Sequence, residues 1–336
     1  MIEVIYYEEG IADHPRTLRV LKHFAKIQAI PCSHYKEVFN PSGQNFRLQK
    51  KKPSLILARK TGSLVLPVPN SYGVGGQRNF YFSHMLNCLY DCRYCFLQGL
   101  YPSANYVLFI NYEDFFEEMD RLSMECEESE TWFFSGYDCD SLAMEKLTGF
   151  VGESLPFFAA HPNAFLELRT KSCVIRPLEQ AQPLPNVVIA FSFTPQEISR
   201  QLEHRVPPIS QRLKAIKKLV QLGWPIGLRF DPLIHCVDFK KRYQTLFEKI
   251  LGSISEDAIH SISIGSFRAP KPFFKKMQKL YPEELLFSGD FHKRGKSYGY
   301  SKEIESSLID SCTAMLKSLV KESKIFFCTN ESISDL

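Results

Sequence analysis

The sequence predicts an α/β fold in which six strands form a parallel sheet and helices connect them. Between residues 79 and 270, short apolar runs alternate with stretches of helical periodicity, which is typical of parallel strands joined by crossover helices. Polar residues directly follow these apolar runs, and the carboxyl ends of parallel strands meet at one edge of a sheet. We therefore expect the functional side chains to gather at that edge.

The predicted strands occupy residues 79–83, 131–134, 165–169, 187–191, 226–230 and 261–265. A helix is expected over residues 111–127, where Asn111 is a suitable cap and Asp114 stands at the capping-box position. Another should begin at Ser210 and end at Gly223. Outside this core, the pattern predicts a helix at 12–29, a hairpin at 54–66, a closing helix at 301–320 and a last strand at 325–328. We expect an N-terminal extension (1–76), a barrel unit (77–270) and a C-terminal substrate-binding segment (271–336).

Composition limits the class of protein. The chain has 336 residues, 44% of them hydrophobic, and a net charge of +4, which permits nucleic-acid binding without requiring it. No signal peptide and no apolar run of membrane-spanning length is apparent. The ten cysteines are therefore expected in a reducing cytoplasm, where they indicate metal or catalytic sites instead of disulfides.

Three cysteines, Cys88, Cys92 and Cys95, are separated by three and two residues. Thiolates are the ligands that hold iron–sulfur clusters and zinc. Three thiolates on a short loop suit three corners of a four-iron cluster and leave the fourth iron open to a substrate. Two alternatives remain at this point: three buried core cysteines, or a zinc knuckle, although no second close pair of cysteines accompanies this one.

The cysteine spacing, followed by an aromatic residue, resembles the radical S-adenosylmethionine (SAM) enzymes. The longer segment Cys95-Phe96-Leu97-Gln98, with Tyr94 inside the loop, resembles the spore photoproduct lyase family. The resemblance implies a partial, six-unit β/α barrel of radical SAM type that holds one 4Fe-4S cluster and SAM.

The same resemblance implies an activity. Reductive cleavage of SAM would give a 5′-deoxyadenosyl radical, which abstracts hydrogen from a thymine dimer in DNA and triggers C–C bond scission. The enzyme would be a radical SAM lyase of DNA repair. It would need a one-electron donor such as flavodoxin or ferredoxin.

Several site residues follow from the resemblance position by position. Ser135 and Gly136 match the segment whose backbone meets the methionine amino group. Lys171 matches a lysine near the methionine carboxylate, and Ser192 a serine that contacts SAM. Tyr94 matches a tyrosine near the adenosyl group. Asp231, at the end of the fifth strand, is assigned to the same cofactor site.

Two positions depart from the family pattern. The family uses a cysteine after the second strand to return a hydrogen atom to the product radical, and a gapless comparison places Tyr137 there. Cys139 lies two residues further on and, in extended backbone, would share the face of Tyr137. The family also has a tyrosine after the last cluster cysteine, where this chain has Phe96. Tyr137 and Cys139 are therefore both candidates for hydrogen return.

Two basic segments are candidate nucleic-acid contacts. The first surrounds a hairpin predicted near Gly295, and its candidate substrate-binding residues are Arg268, Lys293, Arg294, Lys296 and Tyr298. The second, at residues 47–52, is expected to be a solvated linker, with a phosphate-contacting edge as the alternative.

The sequence leaves two further functions open. In the first, the chain belongs to the expected family but acts on a different nucleic-acid or small-molecule substrate. Tyr137 and Phe96 favour this alternative. Alternatively, it is a nucleic-acid-binding protein with a structural metal site and no catalytic activity.

Overall fold

Two mainly parallel sheets form the centre of the fold. The structure, a computed structural model, describes residues 2–68, 73–76, 78–125 and 129–328. Within these ranges no helix is both long enough and apolar enough to cross a bilayer. The strands are β1 (Ile5–Glu8), β2 (Ala29–Cys32), β3 (Leu55–Ala58), β4 (Val65–Pro67), β5 (Arg78–Phe82), β6 (Met85–Leu86), β7 (Asp91–Cys92), β8 (Tyr106–Phe109), β9 (Thr131–Ser135), β10 (Ala164–Thr170), β11 (Val187–Ser192), β12 (Glu203–His204), β13 (Ile226–Leu233), β14 (Ile259–Ser266), β15 (Arg268–Pro270), β16 (Phe291–Arg294), β17 (Ser297–Tyr300) and β18 (Ile325–Phe327).

The helices pack around these sheets. They are α1 (Pro15–His23), α2 (Lys36–Phe39), α3 (Phe46–Lys51), α4 (Leu97–Leu100), α5 (Tyr112–Met124), α6 (Glu145–Thr148), α7 (Phe150–Ala160), α8 (Arg176–Glu179), α9 (Gln196–Leu202), α10 (Ile209–Leu222), α11 (Phe239–Leu251), α12 (Lys271–Leu280) and α13 (Lys302–Lys317). The predicted end of α5 at residue 127 lies outside the described residues.

The larger sheet contains the six predicted strands. Its order is β18-β14-β13-β11-β10-β9-β5-β4, and every pair is parallel except β4 with β5. All six residues of β11 are buried, as expected for a parallel strand that is covered on both faces. The two ends of this sheet do not pair with each other, so the prediction of a partial, six-unit barrel is confirmed.

The smaller sheet was not anticipated. Its order is β2-β1-β3-β8-β6, with parallel pairing except between β6 and β8. The predicted hairpin at 54–66 is wrong, because β3 joins this sheet whereas β4 pairs with β5 in the larger one. An apolar run as short as β3 carries no information about its partner strand. Strands β6 and β8 flank the cysteine loop, so this sheet extends beyond residue 76.

The sequence predicted some of the helix ends correctly and others wrongly. Gly223 ends α10 in the left-handed region with φ 96°, a conformation that glycine adopts without strain. Ser301 caps α13, because its Oγ accepts a hydrogen bond from the backbone nitrogen of Ile304 at 3.3 Å. Ser210, in contrast, lies inside the first turn of α10, which begins at Ile209.

The C-terminal segment reaches back to the cysteine loop. Strands β15, β17 and β16 form an antiparallel sheet with the expected turn at Gly295. Helix α12 lies against α4, which follows the last cysteine of the loop. A side chain at Gly99 would place its Cβ 2.6 Å from the backbone oxygen of Phe273, so the two helices meet only because Gly99 has no Cβ.

Replacing Gly99 with alanine should therefore separate α4 from α12. We expect a loss of about 1–3 kcal/mol in the free energy of unfolding, because backbone must move to accept the methyl group. Urea denaturation measures this loss. Gly152→Ala, in helix α7 with open space around the new Cβ, is the matched control and should be neutral or stabilising. Equal stability of Gly99→Ala and the wild type would contradict the close approach.

Candidate active site

One large cavity lies at the carboxyl ends of the parallel strands of the larger sheet. Its volume is about 1080 Å³. Its wall contains residues that the sequence assigned to the cluster, to SAM, to hydrogen return and to the substrate. Those lining it are Cys88, Cys92, Tyr94, Cys95, Phe96, Ser135, Gly136, Tyr137, Cys139, Lys171, Ser192, Asp231, Arg268, Lys293 and Lys296. The fold thus brings together groups that are spread over two hundred positions of the sequence.

The cysteine loop is fixed by backbone pairing to the segment before α10. Strand β7, which contains the second cysteine, pairs antiparallel with β12. The backbone nitrogen of Arg93 donates to the carbonyl oxygen of Leu202 at 2.8 Å, and within the loop the nitrogen of Cys95 donates to the oxygen of Cys92 at 3.0 Å. These bonds hold the loop as a compact turn against the cavity.

Gln98 joins this loop to the C-terminal segment. Its buried amide nitrogen donates to Asp91 Oδ1 at 3.0 Å and to the carbonyl oxygen of Cys92 at 3.2 Å. Its amide oxygen accepts from the hydroxyl of Tyr281 at 3.0 Å. Gln98 therefore stabilises the cysteine loop. This structural role explains why a glutamine ends the segment Cys95-Phe96-Leu97-Gln98.

The three thiols fit a polynuclear cluster. Burial raises the pKa of each thiol, to about 12 for Cys88, and bound metal would be needed to hold Cys88, Cys92 and Cys95 as thiolates at neutral pH. Within the described residues, no three Cys, His, Asp or Glu side chains converge for a single ion. The thiolates of a four-iron cluster bind separate iron atoms, so they need not converge on a single point.

A buried carboxylate that the sequence analysis missed, Glu203, organises the wall beside the cysteines. Its oxygens accept from the hydroxyl of Tyr94 at 2.5 Å and contact Lys171 Nζ at 3.0 Å and Arg212 Nη2 at 2.9 Å. Burial alone would raise the pKa of Glu203, but the charges of Lys171 and Arg212 hold that pKa well below its usual range. No local pattern identifies Glu203, because these three partners come from separate segments of the chain.

Replacing Glu203 with glutamine should destabilise the fold strongly. The change leaves Lys171 and Arg212 buried without their counter-charge, and we expect a loss of about 3–5 kcal/mol in the free energy of unfolding. Glu197→Gln, which removes an exposed partner of Arg242 (3.1 Å), should cost less than about 1 kcal/mol. Chemical denaturation at neutral pH compares the two variants.

The same carboxylate predicts a pH dependence. Because the folded-state pKa of Glu203 is depressed, its contribution to stability is complete above the unfolded-state value of about 4.3 and is lost as the pH falls toward the folded-state value. The difference in stability between the wild type and Glu203→Gln should therefore shrink as the pH falls below about 4. A difference independent of pH would contradict this account.

The turn after β9 is tightly packed. Gly136 has φ 92°, and a Cβ there would lie 2.7 Å from Ser141 Oγ and 3.1 Å from the backbone oxygen of Arg169. Ser135 Oγ accepts a hydrogen bond from Ser141 Oγ at 3.1 Å. The backbone of Ser135 and Gly136 thus lies at the cavity in one fixed conformation.

Asp140 ties this turn to the end of β10. Its buried carboxylate accepts from Thr170 Oγ1 at 2.7 Å, from the backbone nitrogen of Lys171 at 2.6 Å and from that of Leu142 at 3.0 Å. The two strand ends that carry the expected SAM contacts are therefore held at a fixed separation. Asp140 is a second residue that sequence reasoning missed.

Asp138 anchors the segment between the two candidates for hydrogen return. Its carboxylate accepts hydrogen bonds from Ser83 Oγ and from the hydroxyl of Tyr101, and its burial raises the pKa of Asp138. Tyr137 and Cys139 flank this anchor in sequence, and both line the cavity.

Tyr137 and Cys139 differ in environment. Tyr137 is 39% exposed, and its ring lies 5.3 Å from that of Phe96 and 4.6 Å from that of Tyr81. Cys139 is only 5% exposed, and burial raises its pKa well above the ordinary value. The thiol of Cys139 therefore keeps its proton at neutral pH, while Tyr137 forms part of an aromatic patch in the cavity wall.

Two of the expected ligand groups are paired with each other. Arg268 Nη1 lies 3.0 Å from Asp231 Oδ1, and both side chains are largely buried. The charge of Asp231 is thus already balanced by Arg268 at the cavity wall. Ser192 also lines the cavity, where its backbone oxygen accepts from Arg212 Nη1 at 2.7 Å.

The predicted substrate-binding residues divide into two groups. Arg268, Lys293 and Lys296 line the cavity. Arg294 instead forms an ion pair with Glu305, and the ring of Tyr298 stacks on Phe274 with a centroid distance of 4.9 Å. Arg294 and Tyr298 thus contribute to packing within the C-terminal segment. Lys293 and Arg294 are consecutive in β16 and therefore point to opposite faces of the hairpin.

Comparisons with known proteins extend these observations. The family model described as Spore photoproduct lyase matches residues 79–329. The spore photoproduct lyase of Bacillus subtilis (strain 168) is 22% identical over 342 residues, which cover 97% of this chain and 98% of that protein. The spore photoproduct lyase of Clostridium acetobutylicum is 21% identical over 229 residues, which cover 67% of this chain and 68% of that protein.

Solved structures share the fold. A spore photoproduct lyase complexed with dinucleoside spore photoproduct has a TM-score of 0.82 at 17% identity, and the match covers 98% of each chain. A double mutant of spore photoproduct lyase with bound AdoMet and dinucleoside spore photoproduct has a TM-score of 0.83 at 16% identity, again with 98% of each chain covered.

Proposed function

Since this chain belongs to the spore photoproduct lyase family of radical SAM enzymes, we propose that it reverses a methylene-linked thymine dimer in DNA. The observation that carries the proposal is the shared cavity: three cysteine thiols, the residues expected at SAM and a protonated buried thiol line one wall. The solved relatives named above hold AdoMet and dinucleoside spore photoproduct, which supports both ligands as the ones this cavity takes.

The cysteines of the loop would hold the cluster. A 4Fe-4S cluster with SAM supplies, after one-electron reduction, the 5′-deoxyadenosyl radical that abstracts hydrogen from the substrate. Cys88, Cys92 and Cys95 provide the thiolate ligands, and the β7–β12 pairing fixes the loop that carries them.

The strand ends would orient SAM. The backbone at Ser135 and Gly136 presents polar groups, Lys171 contributes an ammonium group at the wall, and Ser192 and the paired Asp231 complete the surface. Lys171 is itself held by Glu203, so its position is fixed before any ligand binds.

Hydrogen return is assigned to Cys139. A donor of a hydrogen atom must carry that hydrogen, and burial keeps the S–H bond of Cys139 intact at neutral pH. Tyr137, which stands at the family's donor position in a gapless comparison, is packed against Phe96 and more exposed. We assign it to the wall that receives the substrate.

A second candidate is a different substrate within the same family. Tyr137 and Phe96 are the observation that favours it, because both change the residue type at positions of the hydrogen-return pathway. Family membership weighs against the alternative in which the chain is a nucleic-acid-binding protein without catalytic activity.

The proposed function also implies a class of substrate, an electron donor and a cellular compartment. The substrate class is a DNA lesion, and Lys293 and Lys296 at the cavity supply cations for its phosphates. A one-electron donor, flavodoxin or ferredoxin, would reduce the cluster. Cysteine usage supports a reducing cytoplasm as the working compartment.

An anaerobic assay tests the proposal. The cluster is reconstituted and reduced with dithionite, and 5′-deoxyadenosine formation from SAM is followed with and without a spore photoproduct dinucleotide. We expect 5′-deoxyadenosine and regenerated thymine. No 5′-deoxyadenosine from an assembled cluster would overturn the radical SAM assignment, whereas 5′-deoxyadenosine with an unchanged dinucleotide would favour the second candidate.

A further inference from the structure

Helix α3 covers the outer side of the cysteine loop. Its helical spacing places Phe46 and Lys50 inward, where both are buried. Lys50 Nζ donates to the carbonyl oxygen of Cys88 at 3.1 Å and to that of Tyr90 at 3.4 Å. The sequence predicted a solvated linker here, but Lys50 is buried against the loop that would carry the cluster.

The other residues of this basic run face solvent. Arg47, Leu48, Lys51 and Lys52 are exposed, and Leu48 is 60% exposed between the cations. Arg205, also exposed, donates from Nη2 to the backbone oxygen of Lys50 at 2.8 Å. We call these five residues the α3 face: Arg47, Leu48, Lys51, Lys52 and Arg205.

Two short routes connect the α3 face to the cluster ligands. The first runs through Lys50, whose ammonium group contacts the carbonyl of Cys88. The second runs through β12, because Arg205 directly follows this strand and β12 pairs with β7 at Cys92. The cavity, in contrast, is lined by other residues, among them Lys293 and Lys296. The α3 face and the substrate cavity therefore reach the cysteine loop from different sides.

The charge of the α3 face suits an anionic protein. Exposed acids partly balance it, since Glu283 lies 2.6 Å from Arg47 and Glu3 lies 3.4 Å from Lys52. Four cations against these two acids leave an excess of positive charge around the apolar side chain of Leu48. An apolar centre with a charged rim is the usual anatomy of a specific protein contact.

We propose that the α3 face docks an acidic one-electron carrier that reduces the cluster. The proposal rests on the proposed function, which requires one electron for each SAM cleaved. For a flavin carrier the step is balanced as follows: the hydroquinone loses one electron and becomes the semiquinone, and the oxidised cluster gains that electron. Nucleic acid is also anionic, and its binding at this face is an outcome that the experiment distinguishes.

The test compares two double charge reversals that alter net charge equally. Lys51→Glu/Lys52→Glu changes the α3 face, and Lys240→Glu/Lys241→Glu changes exposed lysines of helix α11. The affinity of each reconstituted protein for reduced flavodoxin is measured by titration at low ionic strength. We expect the dissociation constant of the α3-face variant to rise at least about tenfold and that of the control to stay near the wild-type value.

Three activity and binding measurements separate the outcomes. With flavodoxin as reductant, 5′-deoxyadenosine formation by the α3-face variant should fall in parallel with its affinity, whereas with dithionite it should match the wild type. Affinity for a lesion-containing oligonucleotide should be unchanged. Equal flavodoxin binding by the variant and the wild type overturns the docking site, and so does weakened oligonucleotide binding with flavodoxin binding intact. Absence of dithionite-driven activity in the wild type overturns the proposed function instead.

Discussion

Cys139→Ala should uncouple SAM cleavage from repair. The variant lacks the S–H bond that returns hydrogen to the product radical, so we expect regenerated thymine to fall at least about tenfold, equivalent to about 1.4 kcal/mol or more in the barrier. Formation of 5′-deoxyadenosine should continue, because the residues expected at SAM and the cluster are unchanged. Both products are quantified chromatographically from the same anaerobic reaction.

Tyr137→Phe is the matched control for this variant. It removes the O–H group of the second candidate and keeps the ring that contacts Phe96 and Tyr81. We expect thymine formation close to the wild-type level. The opposite pattern, in which Tyr137→Phe loses repair and Cys139→Ala retains it, would assign hydrogen return to Tyr137 and contradict our assignment.

Cys92→Ala should abolish 5′-deoxyadenosine formation, with or without substrate. The variant removes one of three thiolate ligands, and a cluster held by two thiolates on a short loop is not retained. Iron content per protein and the visible absorbance of the cluster should fall together with activity. Cys312→Ala, at a buried position of helix α13, is the control for the loss of a buried cysteine and should keep both iron and activity. Full iron content in Cys92→Ala would remove Cys92 from the ligand set.

The sequence predicted the barrel better than the surrounding parts. Strands β9, β10, β11, β13 and β14 were expected within a few residues of their observed limits, because a strand that is covered on both faces is a continuous apolar run bounded by polar residues. Strands β1, β3 and β8 were missed or given the wrong partners. These strands are shorter, with four residues each, and their pairing depends on contacts across fifty or more residues.

The candidate site shows the same division. The cysteine spacing and the polar strand ends are local patterns, so the sequence alone determined the cluster ligands to test, the expected SAM contacts and the family. Only the tertiary structure brought Glu203 to Tyr94 and Lys171, and only the tertiary structure buried Lys50 against Cys88. It also paired Arg268 with Asp231 and placed Tyr137 and Cys139 in different environments. The physical reason is that burial and the pairing of charges depend on which distant segments meet, and no single segment of the sequence records its neighbours in space.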